Sequence, residues 1–222
     1  MRVKIADLYD LSNTIAAPLL ERFEYPWEAL AHIKEFILEL GPTLPADEFD
    51  NPAEGVWIAK DAKIYDSAYI GSPLIIDHGA EVRHCAFLRC PAIVGKGAVI
   101  GNSTELKNVI IFDKAQVPHY NYVGDSILGF GAHMGAGAIT SNLKSDRSLV
   151  VVKDFATGET IETGLKKFGA MLGDGVEVGC NTVMNPGTVV GAYSNIYPLS
   201  RVRGFVPGLR IFKDPGNIVE KW

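Results

Sequence analysis

Cysteine is scarce in this chain: Cys85, Cys90 and Cys180 are its three, among 222 residues. An odd count with no export leader points to reduced thiols in a cytosolic compartment rather than to a disulfide framework. Cys85 and Cys90 lack the second pair that a structural zinc site requires. No apolar run approaches the roughly twenty residues that cross a bilayer, and no basic-then-apolar leader opens the sequence. The expected setting is the cytoplasm, with no membrane partner. Cations are outnumbered, with 21 Lys and Arg against 26 Asp and Glu, a net charge of −5 and a pI near 5.5. That balance argues against the broad basic surface of a nucleic-acid-binding protein, so any cationic site has to be local.

What the chain does have is a rhythm. Stepping by six from Ile58 meets Ile64, Ile70, Ile76, Val82, Leu88, Val94, Ile100, Leu106 and Phe112, all apolar. With about half of all residues apolar, ten such hits in one phase arise by chance roughly once in a thousand tries. A small residue sits four places after most of them, as in Ala62, Ala68, Ala80, Ala86, Ala92, Ala98 and Thr104. The beat returns as Leu172, Val178, Met184, Val190, Ile196 and Val202. A period of six fits neither a helix nor a continuous alternating strand. It fits a short strand, a corner and another strand, the hexapeptide pattern of a parallel β-helix in which three rungs complete a coil. Gly71, Gly95, Gly101 and Gly191 directly follow interior positions, near corners where unusual backbone angles are expected.

Three further regions frame the coils. Residues 1–50 read as a helical segment: Pro26 suits a first turn, Leu30, Ile33, Ile37 and Leu40 keep helical spacing, and Gly41 with Pro42 ends it. This segment is expected to cap an end of the β-helix or to pack on a neighbouring subunit. The β-helix is expected over 51–207, with an inserted loop at 144–167 and a tail at 208–222.

Residues eighteen apart should stack, about 4.8 Å from coil to coil. Arg89 and Lys107 are so spaced and both follow an interior leucine, which stacks two cations on the outer surface with Glu105 nearby. Like charges that close repel unless an anion or a carboxylate screens them, so the pair reads either as a solvated charge ladder or as an anion site. At VPHYNYVGDS (117–126) the beat falters. The interior positions are expected to pass from Pro118 to Tyr122 in four steps and then to resume as Leu128, Met134 and Thr140. His119 is thereby left facing outwards.

The segments GNSTELK (101–107), VPHYNYVGDS (117–126), GAGAITSNL (135–143), KKFGAMLGDGVEVG (166–179) and VVGAYSNIYP (189–198) resemble the acetyltransferase domain of the bifunctional glucosamine-1-phosphate acetyltransferase / N-acetylglucosamine-1-phosphate uridyltransferase. The archaeal-type sugar-1-phosphate variant, which carries a similar insertion, is the nearest in character. The resemblance implies the left-handed β-helix of hexapeptide-repeat acyltransferases and a homotrimer whose acetyl-CoA and amino-sugar 1-phosphate meet between neighbouring chains. It implies His119 as general base, and Arg89, Glu105, Lys107 and Lys167 around the sugar-linked phosphate. Tyr122 and Asn142 would hold the acceptor and order the site, Asn142 also as a candidate oxyanion donor. Gly135, Ala136 and Gly137, with Cys180 and Pro198, would lie along the acetyl-CoA. No metal is called for. An amine attacks a thioester only when unprotonated, so a base titrating near neutrality is the natural proton acceptor; binding both reactants in line makes the step intramolecular.

Two departures from the family pattern bear on specificity. His133 stands where relatives commonly have asparagine, which leaves the acceptor sugar open. Cys180 and Pro198 replace small residues along the donor. The nucleotidyltransferase half has no counterpart in these residues. Two other readings remain: a noncatalytic trimeric β-helix serving as scaffold or sugar-phosphate sensor, and a zinc enzyme resembling the γ-type carbonic anhydrases. Against the second, His78, His84, His119 and His133 do not stack at eighteen.

Overall fold

The computed structural model describes residues 1–221, and the chain forms a parallel β-solenoid of about nine turns, the β-helix that the six-residue beat predicts. Its short strands repeat on three faces. On the first lie Leu74–Ile76, Ala92–Val94, Ala170–Leu172 and Thr188–Val190; on the second Glu81–Val82, Val99–Asn102, Gln116–His119, His133–Met134 and Glu177–Val178; on the third Phe87–Leu88, Ile139–Thr140, Val183–Met184 and Arg201–Val202. Each pairs in parallel with its counterpart on the next coil. The beat residues from Ile76 to Leu106 and from Leu172 to Val202 are buried in one continuous core, where the companion alanines leave room for them. The solenoid extends past residue 207, because Arg210–Asp214 pairs with Asn195–Ile196 and buries Phe212.

Two longer strands, Glu105–Ile111 and Tyr122–Leu128, run unbroken round a corner. Residues 105 and 106 pair on the third face and residues 109 to 111 on the first. Here the register departs from the sequence reading. The interior file is Leu106, Ile111, Val117, Val123 and Leu128, so the lost residues are at two corners and not at Pro118. Phe112 turns outward onto Tyr9, ring centroids 5.1 Å apart, and Tyr122 also faces outward. Each tightened corner is made by a single residue in the left-handed region, Asn108 with φ 56° and Asp125 with φ 48°. Asn and Asp accept that conformation more readily than other side chains.

The corner glycines also serve a different end from the one expected. Gly71, Gly95, Gly101 and Gly191 do not have positive φ. They are glycines because the next coil presses on them: a Cβ on Gly101 would lie 1.6 Å from the Pro118 carbonyl oxygen.

The N-terminal segment caps no end. Its short helices, chiefly Ala17–Leu20, Pro26–Ala31 and Ile33–Leu40, lie along the first face. They cover a vertical row of outward side chains that includes Ile75, Ile93, Ile110, Ile127, Met171 and Val189, all fully buried. Each such burial is worth about 1.5–3 kcal/mol. The sequence carried the sign: the first-face strands LII, AIV and AML read as unbroken apolar triplets, as strands covered on both sides do. The insertion forms an antiparallel hairpin, Val151–Lys153 with Thr160–Glu162, whose Val150, Val152, Ile161 and Leu165 join the same layer.

Candidate active site

One corner of the solenoid, between the second and third faces, collects the predicted base and most of the predicted donor residues. His119 aligns with Asn102 on the coil before, and the strand registers carry the same file on through Ala136, Cys180 and Pro198. Backbone bonds trace it: Gly137 N–H donates to His119 O at 3.0 Å, Asn181 N–H to Ala136 O at 2.8 Å and Leu199 N–H to Cys180 O at 2.9 Å. The His119 side chain is exposed and its strand end is tied down by Asn121, whose Oδ1 accepts the His119 N–H at 3.0 Å. The Asn121 amide reaches in turn to the carbonyls of Gly135 and Ala138, both 2.9 Å. Gly137, with φ 72°, has no room for a side chain, since a Cβ would stand 2.2 Å from Asn181 Oδ1. His84 belongs to this file too, two coils before His119.

The opposite edge of the third face holds a polar cluster. Arg89 and Lys107 stack on successive coils as their spacing predicts, because Leu88 pairs with Leu106. Neither cation is free. Arg89 Nη1 donates to Glu105 Oε1 at 3.0 Å, while Lys107 Nζ donates to both carboxylate oxygens of Asp125, at 2.8 and 3.1 Å. The two pairs differ in kind. The first is half exposed, and such pairs are worth about 0–1 kcal/mol, so Arg89 can turn to a ligand. Asp125 is 3% exposed, and removing one partner of a buried pair typically costs about 3–5 kcal/mol. Lys107 therefore stays where it is, with one of its three N–H bonds left to offer.

Asn142 completes the cluster, its Nδ2 donating to Asp125 Oδ2 at 2.5 Å and to the Tyr122 hydroxyl at 3.2 Å. Burial raises the pKa of the Tyr122 phenol, and the Asp125 and Glu105 carboxylates push it the same way. The phenol accepts from Asn142 and keeps its own O–H to donate. Its ring lies across Gly124, where a Cβ would meet the hydroxyl at 2.4 Å. Both ends of the insertion return here: Leu143 bridges Lys167, Phe168 N–H donates to Asn142 O at 3.0 Å, and Gly169 N–H to Asp125 O at 2.8 Å. Lys167 is exposed beside Asn142. Tyr122 follows His119 by three residues, at most about 10 Å of chain, so base and cluster flank one narrow face.

The structure does not bring His133 into this group. It sits on the second face, with Nδ1 3.0 Å from Glu177 Oε2. Asp125, Asn108 and Gly124 are site residues that the sequence reading missed; Asn108 Nδ2 also donates to Asp125, at 2.9 Å. Their signal was the two five-residue steps in the interior file. Among the described residues no three His, Cys, Asp or Glu side chains converge as metal ligands.

A cavity of about 780 Å³ opens lower down, at the C-terminal end of the coils. Arg201, Arg203 and Arg210 line it with Phe155, Phe205 and Phe212. Arg203 lies on the same outward row as Lys107, four strand spacings further along, about 19 Å. The cavity also reaches Pro215 and Gly216, next to the position below Pro198.

A bifunctional sugar-1-phosphate nucleotidylyltransferase/acetyltransferase of Sulfurisphaera tokodaii is 37% identical over 143 residues, which is 64% of this chain and 35% of the relative. The bifunctional protein GlmU of Methanococcus vannielii is 31% identical over 173 residues, 77% of this chain and 41% of that protein. The chain thus spans between about a third and two fifths of the length of these curated relatives. A solved structure of a point mutant of the N-acyltransferase AntD from Bacillus cereus, in complex with dTDP-4-amino-4,6-dideoxyglucose and coenzyme A, matches 74% of this chain and 84% of its own at 15% identity, with a TM-score of 0.39. The family described as the GMPPB C-terminal domain matches residues 70–197, more than half of the sequence. The chain belongs to that family.

Proposed function

We propose that this protein transfers an acetyl group from acetyl-CoA to the amine of an amino-sugar 1-phosphate, glucosamine- or galactosamine-1-phosphate, in the synthesis of UDP-N-acetylhexosamines. One observation carries the reading: an outward histidine and a cluster of donors and cations occupy the two edges of a single strand-wide face. The Sulfurisphaera tokodaii relative, named as a bifunctional sugar-1-phosphate nucleotidylyltransferase/acetyltransferase, supports it.

In this reading His119 accepts a proton from the acceptor amine as its nitrogen attacks the thioester carbonyl. The C–S bond breaks, an amide forms, and the thiolate leaves as free CoA once it has taken up a proton. Tyr122 O–H orients the sugar. Arg89, Lys107 and Lys167 meet the phosphate, and Glu105 releases Arg89 when the stronger anion arrives. Both N–H donors of the Asn142 side-chain amide are already engaged, by Asp125 and Tyr122, which favours a role in holding the acceptor site over that of oxyanion donor. The Ala136, Cys180 and Pro198 file, with Gly135 and Gly137 beside it, accepts the extended arm of acetyl-CoA. Arg201 and Arg203, which line the cavity at the C-terminal end of the coils, take its phosphates. The assembly is a homotrimer in the cytoplasm, each groove lined by two copies, and in it His133 serves a neighbouring chain's acceptor.

The test is release of free CoA when the purified protein is given acetyl-CoA and a panel of amino-sugar phosphates. Turnover with a hexosamine 1-phosphate and little with phosphate-free glucosamine is expected. Binding of those sugars without CoA release would replace the enzyme by a sugar-phosphate sensor.

A further inference from the structure

We infer that Asp125 is a positioning residue for the acceptor site, holding Lys107, Asn108 and Asn142 in one arrangement and through Asn142 fixing Tyr122. The inference rests on the acetyl-transfer reading for its kinetic consequence only.

Four hydrogen bonds from three side chains end on this one carboxylate. Its backbone carbonyl accepts a fifth, from Gly169, which anchors the strand that returns from the insertion. The residue sits at the tightened corner in a left-handed conformation, so its side chain leaves the corner toward the third face, between coils that carry Lys107 and Asn142. Nearly complete burial means that it can touch no ligand itself without the cluster opening. Charge sharpens the argument. A carboxylate beneath a phosphate site weakens phosphate binding, since like charges repel more strongly away from bulk water. A buried anion in that place lowers ground-state affinity, and what it supplies in exchange is order. Preorganised donors that need not reorient during reaction are a large part of how such sites lower a barrier.

The experiment compares wild type with Asp125→Asn, which keeps the size of the side chain and suits the left-handed corner at least as well as aspartate does. The variant is expected to lose about 10–100-fold in kcat, the range that misplacement of a reacting group brings. Its KM for the sugar phosphate should stay the same or fall, because an opposing charge has gone. A rise in acceptor KM with kcat intact would make Asp125 a ligand contact and overturn the inference; so would unchanged kinetics. Asp125→Gly, equally compatible with the corner, is held to the same split if the amide variant does not fold. A crystal structure of the variant decides the question independently of turnover. Lys107 and the Asn142–Tyr122 contact should shift, and a cluster left in place would refute the positioning role. If the wild type itself releases no CoA, the acetyl-transfer reading fails, and the crystallographic comparison still decides for or against Asp125.

Discussion

The indole of Trp27 lies against the ring of Phe168, centroids 5.6 Å apart and planes 28° from parallel, and the Phe168 N–H donates to the carbonyl of Asn142. A residue of the N-terminal layer thus stands one contact away from the polar cluster around Asp125. Both rings are fully buried. Trp27→Ala is expected to cost about 3–5 kcal/mol of stability, read as a lower midpoint in urea, and to reduce turnover under conditions where the variant remains folded. Trp27→Phe should recover most of both.

His119→Ala should remove turnover, by about 10²–10⁴-fold or more, with the proposed trimer and the thermal midpoint unchanged, because the side chain is exposed and makes no structural bond among the described residues. CoA release and sedimentation measure the two sides. Undiminished activity would take the base assignment away.

Lys107→Ala should raise the KM for the sugar phosphate. It should also destabilise the fold by roughly 3–5 kcal/mol, since Asp125 is left buried and unpaired. Arg89→Ala should raise the same KM with little loss of stability, because its pair with Glu105 is exposed. Equal losses with phosphate-free glucosamine would contradict the phosphate role of either residue.

Gly124→Ala gives a finer probe. The added methyl meets the far end of the Tyr122 side chain, not backbone, so the fold survives while the phenol is pushed from Asn142. A kcat reduced several-fold at a nearly unchanged thermal midpoint is expected, and a variant indistinguishable from wild type would show that Tyr122 is not needed where it stands.

His78 offers a pH test away from the site. Burial opposes its charge, but hydrogen bonds to Asp61 and Glu48 outweigh burial and raise its pKa. A group whose pKa is raised on folding contributes in full below its unfolded value, near 6.5, and its contribution is lost as pH rises through the folded value. The melting temperature should therefore decline as pH rises above about 6.5, and the decline should flatten in His78→Gln.

The solenoid was legible because its core is periodic: one apolar residue per rung, six apart, declares itself without any partner. The alignment of Arg89 over Lys107 followed from the same count. What the count could not show was where it slips. Tyr122 and Phe112 were given interior places because a lost residue at Asn108 and another at Asp125 move the phase without leaving a gap that composition reveals. Asp125 was missed for that reason, since its importance depends on which three side chains face it across coils. The lateral position of the N-terminal layer was written in triplets such as LII and AIV, but the beat of six draws attention to one residue in each and hides its neighbour. His133 marks another limit, because one chain's register sets it on the second face beside Glu177, apart from its own cluster. Whether it meets an acceptor depends on a neighbouring copy, which no count along one chain displays.

A three-sided column wrapped along one side has only two sides left to meet its own kind. The layer from Val3 to Leu44 closes the first face, so any closed ring of these chains has to be built from the remaining pair, the ones that bound the His119 corner. Packing of another copy onto the isoleucine row is barred in the same stroke, and copies that meet are steered to the edge where the chemistry is proposed to occur.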